Sequence, residues 1–334
     1  MVSPEPPSSK RKRTEDGIEP TENAPITRSV PWHSDGSVVL QAQNTQFRVH
    51  WSVLALHSQF FRGMQGLPQP KEQPTVDGCP VVVLQDATVD VEHLLRALYD
   101  PTIFDQEAIP FPYIASFIRL GRKYDFNTLY HIALKRLAFE NPATLEQYDA
   151  WSEAKLAATA GRPLLDFATT RIVNYPGIQF DFLALARENS LLPILPFAYF
   201  SVANLPLTTL LGQFSRPDGT PYLLSPHDRT LTVLGRESLL KAQWHPNSTL
   251  GWIAPNLDCT EPDECQEWRE SFLRRCHLSQ RIHAFTPPAF FTNDLCNSCA
   301  KTAEEAVVAG RAHMWEALPS FFNLPSWSEL KKVP

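Results

Sequence analysis

His33–Met64 reads HSDGSVVLQAQNTQFRVHWSVLALHSQFFRGM, and its hydrophobic period changes halfway along. Val38 and Leu40 point one way, a polar turn follows at Gln43-Asn44-Thr45, and Phe47 and Val49 resume the alternation. That pattern predicts a half-buried β-hairpin with an Asn-Thr turn. From His50 to Met64 the period becomes helical, with Val53, Leu54, Leu56, Phe60 and Phe61 on one face. Gly66 to Pro80 is rich in Gly, Pro and charge and reads as an exposed loop. Val81 to Leu84 is a short apolar run that suits a buried strand. Asp90 is placed to cap a helix over Val91–Tyr99, and Pro112–Tyr124 and Asn127–Phe139 supply two more, separated by a turn at Asp125. Hairpin, helix, strand, then helices predicts an α+β fold: a small sheet covered by a helical cluster.

Over about 110 residues this stretch resembles a BTB/POZ domain. The matching elements are Asp35 before the hairpin, His50 after its second strand, and Leu54-Ala55-Leu56-His57-Ser58-Gln59-Phe60-Phe61 on the following helix. Leu84-Gln85-Asp86 with Leu94, Leu95, Leu98 and Tyr99 fits the strand-and-helix core, and Gly121-Arg122-Lys123-Tyr124 with Leu129 fits the later helices. The resemblance implies a protein-interaction domain, often a homodimer, without catalysis, in which Asp35 and His50 are structural positions. Two departures stand out. Many dimeric members begin with an amphipathic helix, which ENAPITRSVPWHS does not make. Members that recruit cullin ubiquitin ligases carry a hydrophobic-x-Glu motif, for which Pro70-Lys71-Glu72 is a poor match. Dimerisation and cullin binding are therefore both open.

A chain of 334 residues has room for two domains, and its 43% hydrophobic content can fill their cores. Residues 1–30 are Pro-, Ser- and charge-rich and read as a disordered tail, 31–140 as the BTB/POZ domain, and 141–334 as a helical C-terminal region. Lys10-Arg11-Lys12-Arg13 in the tail is a patch that an import receptor could grip, although an ordinary solvated charge run looks the same. The expected location is nucleus or cytoplasm. A net charge of −6 argues against direct nucleic-acid binding. The N-terminus has no apolar signal region. Ser190 to Ser215 carries no charge, but Pro193, Pro196 and Pro206 interrupt it, so a buried helical pair is expected rather than a membrane span.

Residues 141–250 read as helical throughout. Asn141 with Pro142, and Ser225 with Pro226, fit the cap and first position of two helices. Beyond them five of the six cysteines cluster between Cys259 and Cys299. Zinc takes four thiolates in a tetrahedron, and two short loops can each bring two. The preferred set is Cys259, Cys265, Cys296 and Cys299, with Cys276 or His277 as substitutes. A redox dithiol at Cys296-Asn297-Ser298-Cys299, or simply buried thiols, are the competing readings. With LGRESLL, the tail from Cys296 resembles the C-terminal region of BTB-containing proteins of a type numerous in mushroom-forming fungi. Gly310-Arg311, Trp315, Leu318-Pro319, Phe321-Phe322, Leu324-Pro325 and Trp327 carry that likeness, and their aromatics read as core packing.

Nucleotide-binding, metalloprotease and serine-hydrolase motifs are all missing from the sequence, and the ten histidines are scattered. No enzyme is expected. The reading is a scaffold or regulatory protein that binds partner proteins, with no membrane or nucleic-acid partner and a structural zinc as its cofactor. The alternatives are a substrate adaptor of a cullin-type ubiquitin ligase and a thiol–disulfide oxidoreductase using Cys296 and Cys299.

Overall fold

Five strands, β1 (Thr27–Trp32), β2 (Val38–Ala42), β3 (Thr45–Val49), β4 (Thr75–Val76) and β5 (Cys79–Leu84), pair in the order β1-β3-β2-β5-β4. This computed structural model describes residues 25–66, 74–158, 167–212, 215–216, 219–222, 224–254 and 258–331. β2 lies at the centre of the sheet, antiparallel to β3 and parallel to β5, with Val38, Val39 and Leu40 buried. Ala42 pairs with Thr45, so the hairpin turn is Gln43-Asn44, with Gln43 at φ 51°, and Thr45 belongs to the strand. Two-residue turns of this kind need positive φ.

Two sequence expectations fail here. Residues 27–30 read as part of the tail, but they form most of β1, which lies parallel to β3 on the sheet edge. TRSVPW carries no alternation to announce a strand, and proline is tolerated at an edge because its missing N–H can face outward. The expected loop over Gly66–Pro80 contains β4 and the start of β5. They are joined by Asp77 at φ 50° and Gly78 at φ 76°, an Asp-Gly hairpin turn.

The chain divides into two compact units, one holding the strands and the other the helices from Trp51 on, apart from Thr88. The helices are α1 (Trp51–His57), α2 (Gln59–Gln65), α3 (Thr88–Tyr99), α4 (Phe111–Lys123), α5 (Asn127–Glu140), α6 (Leu145–Ala158) and α7 (Ile178–Glu188). They continue as α8 (Leu195–Ala203), α9 (Leu207–Leu211), α10 (Pro226–Ala242), α11 (Pro262–Ser279), α12 (Ala289–Thr292), α13 (Asn297–Phe321) and α14 (Trp327–Leu330). The single helix expected over His50–Met64 is broken at Ser58. That residue is extended (φ −133°, ψ 124°), accepts the N–H of Phe61 at 3.0 Å, and donates its hydroxyl to the Tyr124 carbonyl at 2.5 Å. The break turns Leu56 and Phe60, expected in the core, out to solvent.

Asp90 does not cap its helix, which starts two residues earlier at Thr88. It is buried and takes the Ser116 hydroxyl at 2.8 Å and the Arg119 guanidinium at 3.2 Å, and Arg119 also reaches Glu188 at 2.8 Å. Glu140 is fully buried and accepts N–H groups from Thr170 at 2.9 Å, Arg171 at 2.6 Å and the Trp151 indole at 2.9 Å. The helices before residue 140 therefore pack directly into those after it.

Residues 141–250 are not helical throughout. Residues 167–177 contain no helix, and Ile172 bridges to Ile109. Asn141 is the C-cap of α5, while the Thr144 hydroxyl takes the Gln147 N–H at 3.2 Å and so caps α6. Ser225 caps α10 as expected, accepting from the Asp228 N–H, with Pro226 at the first helical position. Every residue of α8 is buried, and no helix among the described residues is long and apolar enough to cross a membrane. The C-terminal aromatics do pack as core. Phe322 stacks on Tyr199 at 5.2 Å, Trp315 stacks on Trp327 at 5.9 Å, and both Phe322 and Trp327 are buried.

His283 lies against Phe272 and Phe290. Burial, reinforced by Arg281 and Arg275, brings its pKa down to about 4. A histidine whose folded pKa lies below its unfolded value of about 6.5 stays neutral in the fold while the unfolded chain takes up a proton, so stability falls as pH drops through that window. We expect the unfolding temperature to fall between pH 7 and pH 4.5, and to fall less in His283→Phe. Parallel curves for the two proteins would rule His283 out as a source of the acid sensitivity.

Candidate metal centre and interaction surface

Two helix starts build the cysteine cluster. Cys265 lies in the first turn of α11, with Cys259 on the approach to it. Cys296 is the N-cap of α13 and Cys299 lies in its first turn. The four sulfur atoms fall within 4.8 Å of one another, and all but the half-buried Cys259 are buried. The Cys259 and Cys296 sulfurs are 3.8 Å apart. Four thiolates around zinc at about 2.3 Å occupy tetrahedron corners about 3.8 Å apart. The preferred set from the sequence is therefore brought together. Its proposed substitutes are not: Cys276 packs among Trp252, Phe272 and Phe291, and His277 is exposed on α11.

Donors converge on the sulfurs. The Cys296 N–H points to the Cys265 sulfur at 3.3 Å and the Cys299 N–H to the Cys296 sulfur at 3.5 Å. The Thr260 hydroxyl, helped by backbone N–H groups, pulls the Cys296 thiol down to about 5. Burial pushes Cys299 up to about 12 and also raises Cys265. Arg269, buried one turn beyond Cys265, donates to the Cys299 sulfur at 3.1 Å. Its Nε has no partner, and no carboxylate pairs with it among the described residues. A buried guanidinium costs several kcal/mol unless it is compensated. A tetrathiolate around a divalent ion keeps net negative charge and would compensate it. Arg269 was missed from sequence, and its position four residues after Cys265 on one helix was the available signal.

Asp35 and His50 meet at one corner of the sheet unit. The His50 Nε2 lies 3.2 Å from the Asp35 carboxylate, and that contact lowers the Asp35 pKa. Between them Gly36 fits only without a side chain, because a Cβ would come within 2.8 Å of Arg48 Cγ and 3.0 Å of the Val49 carbonyl. The Gly36 carbonyl accepts from Arg48 Nε at 2.9 Å and from the Cys79 thiol at 3.0 Å. On the helical unit, Leu56 and Phe60 are 69% and 40% exposed. Lys10, Arg11, Lys12 and Arg13, and the Pro70-Lys71-Glu72 stretch, lie outside the described residues.

Residues 34–138 match the family model of the BTB/POZ domain. No curated protein and no solved structure is significantly similar to the chain. The match covers about a third of the sequence and agrees with the α+β elements found there, followed by the helical extension. Residues 34–138 are a BTB/POZ domain, a protein–protein interaction module.

Proposed function

We propose that this chain is a scaffold or regulatory protein that binds a partner protein, or a second copy of itself, through its BTB/POZ domain. The observation that carries this is the domain match at residues 34–138, on a sheet and helices whose polar contacts serve structure. Residues 31–140 act as the binding domain, and 141–334 as a helical extension built onto it. The contact surface includes Leu56 and Phe60, exposed where Ser58 breaks the helix. Sedimentation of the full chain tests self-association. If the pair forms the contact, Leu56→Asp/Phe60→Asp weakens association at least tenfold at an unchanged unfolding temperature; an unchanged sedimentation profile would place the contact elsewhere.

A zinc ion held by Cys259, Cys265, Cys296 and Cys299 is part of the same proposal. Its role is structural: it ties the start of α11 to the start of α13, and Arg269 offsets the charge of the thiolates. The protein acts in the nucleus, brought there by Lys10-Arg11-Lys12-Arg13. Replacing those four residues by alanine in a fluorescent fusion should move the signal to the cytoplasm; unchanged nuclear signal would discard the motif. The block from Gly310 to Trp327 supports grouping the chain with the BTB proteins of mushroom-forming fungi.

A further inference from the structure

A groove of about 680 Å3 runs between α10 and α11. Its walls include Val233, Arg236 and Leu240 on one face of α10, Leu273 and Cys276 on one face of α11, and Gln280, the C-cap of α11. The volume lies in the range of small-molecule sites, which are mostly apolar with a few fixed polar groups.

The polar group is unusual. Arg236 is 6% exposed, with one terminal nitrogen donating to the Ala203 carbonyl at 2.5 Å and the other to the Gln280 carbonyl at 2.8 Å. A guanidinium has five N–H donors; among the described residues two of them are engaged by these carbonyls and Nε has no partner. The two carbonyls close α8 and α11, and their helix dipoles offset part of the charge. Neither is an anion. The neighbouring Glu237 is paired with Lys241 at 2.5 Å instead. Burial alone lowers the Arg236 pKa, with no carboxylate to raise it. Of the other charged side chains lining the groove, Glu237 is held by Lys241, which leaves Arg236 as the charged group without an ionic partner among the described residues.

We propose that the α10–α11 groove binds a small monocarboxylate with an apolar body, of the medium-chain fatty-acid class, its carboxylate accepting from the Arg236 guanidinium and its chain lying between Leu240 and Leu273. This ligand site goes beyond the interaction reading and does not depend on it. The test is isothermal titration of the full chain with decanoate, 1-decanol and decyltrimethylammonium, each below its micelle concentration. Decanoate should bind once per chain and about tenfold or more tighter than the other two, as a charge-assisted hydrogen bond requires. Leu273→Asp, at a position 41% exposed and so safe for folding, should weaken decanoate at least about tenfold by repulsion and lost apolar contact. Arg236→Gln should reduce decanoate to the level of decanol. If that variant does not fold, Leu273→Asp and the three-ligand comparison decide alone. No decanoate binding below millimolar, decanol binding as tightly, or a Leu273→Asp chain that binds like the parent would each overturn the proposal.

Discussion

Cys299→Ser is expected to bring the zinc content of the purified chain from about one per molecule to almost none, and to loosen the starts of α11 and α13, where the four cysteines sit. The effect should be large because metal and fold are coupled at such sites. Structural zinc contributes about 10–16 kcal/mol of apparent binding free energy in small zinc-dependent domains, and a site that forms only in the folded chain delivers it as stability. The dependence is local: Cys265, Cys296 and Cys299 form a small core of their own, with Cys259 and Leu295 packed against it, while the rest of the connection is held by the buried Phe285 and Phe291. Serine leaves a site of three thiolates and a buried Arg269 without its sulfur acceptor. Cys276→Ser is the control, since Cys276 packs in the neighbouring aromatic cluster and should leave zinc content unchanged. Elemental analysis and limited proteolysis read both outcomes. A metal-free parent whose Cys296 reacts rapidly with alkylating agents would favour the dithiol reading instead.

Gly310→Ala should lower stability by about 3 kcal/mol or more, since inserting even one methyl into a closed interior typically costs about 1–3 kcal/mol and backbone cannot yield as a side chain does. A Cβ at Gly310 would lie 2.4 Å from the Ser248 carbonyl carbon and 2.5 Å from the Thr249 nitrogen. α13 presses against that turn, and the next residue, Arg311, reaches the Phe285 carbonyl at 3.2 Å and pairs with Asp149. For a chain of this size the change corresponds to a fall of several degrees in unfolding temperature. Gly63→Ala makes the same chemical change within α2 where nothing among the described residues lies within 4 Å, and there alanine's higher helix propensity should be neutral or stabilising. Equal unfolding temperatures for the Gly310→Ala chain and the parent would show that the helix shifts aside freely.

The hairpin was legible because Val38, Leu40, Phe47 and Val49 set its period, but the turn lies at Gln43-Asn44 rather than Asn-Thr, because the alternation is kept when the turn moves by one residue. The break at Ser58 was not, because a hydrogen bond to Tyr124, far along the chain, competes with the helical pattern around it. β1 was hidden for a related reason: its pairing comes from β3, and its own residues carry no alternation. Asp77-Gly78 was a readable turn signal that the surrounding charge and proline obscured. In the cysteine cluster the spacing pointed to the ligand set, since thiol pairs at two helix starts need only those starts to meet. For Arg269 the sequence offered only its place four residues after Cys265 and for Arg236 nothing, because an arginine's role depends on how deeply it is buried and which acceptors surround it.

The measurement that bears most directly on the interaction role is quantitative affinity capture with mass spectrometry, comparing the full chain with Leu56→Asp/Phe60→Asp. A defined set of proteins, or a second copy of the chain, should be enriched with the parent and lost with the folded double substitution. A cullin within that set would assign the adaptor role. A parent chain that captures the same proteins as Leu56→Asp/Phe60→Asp, and that sediments as a monomer, would contradict binding through this surface.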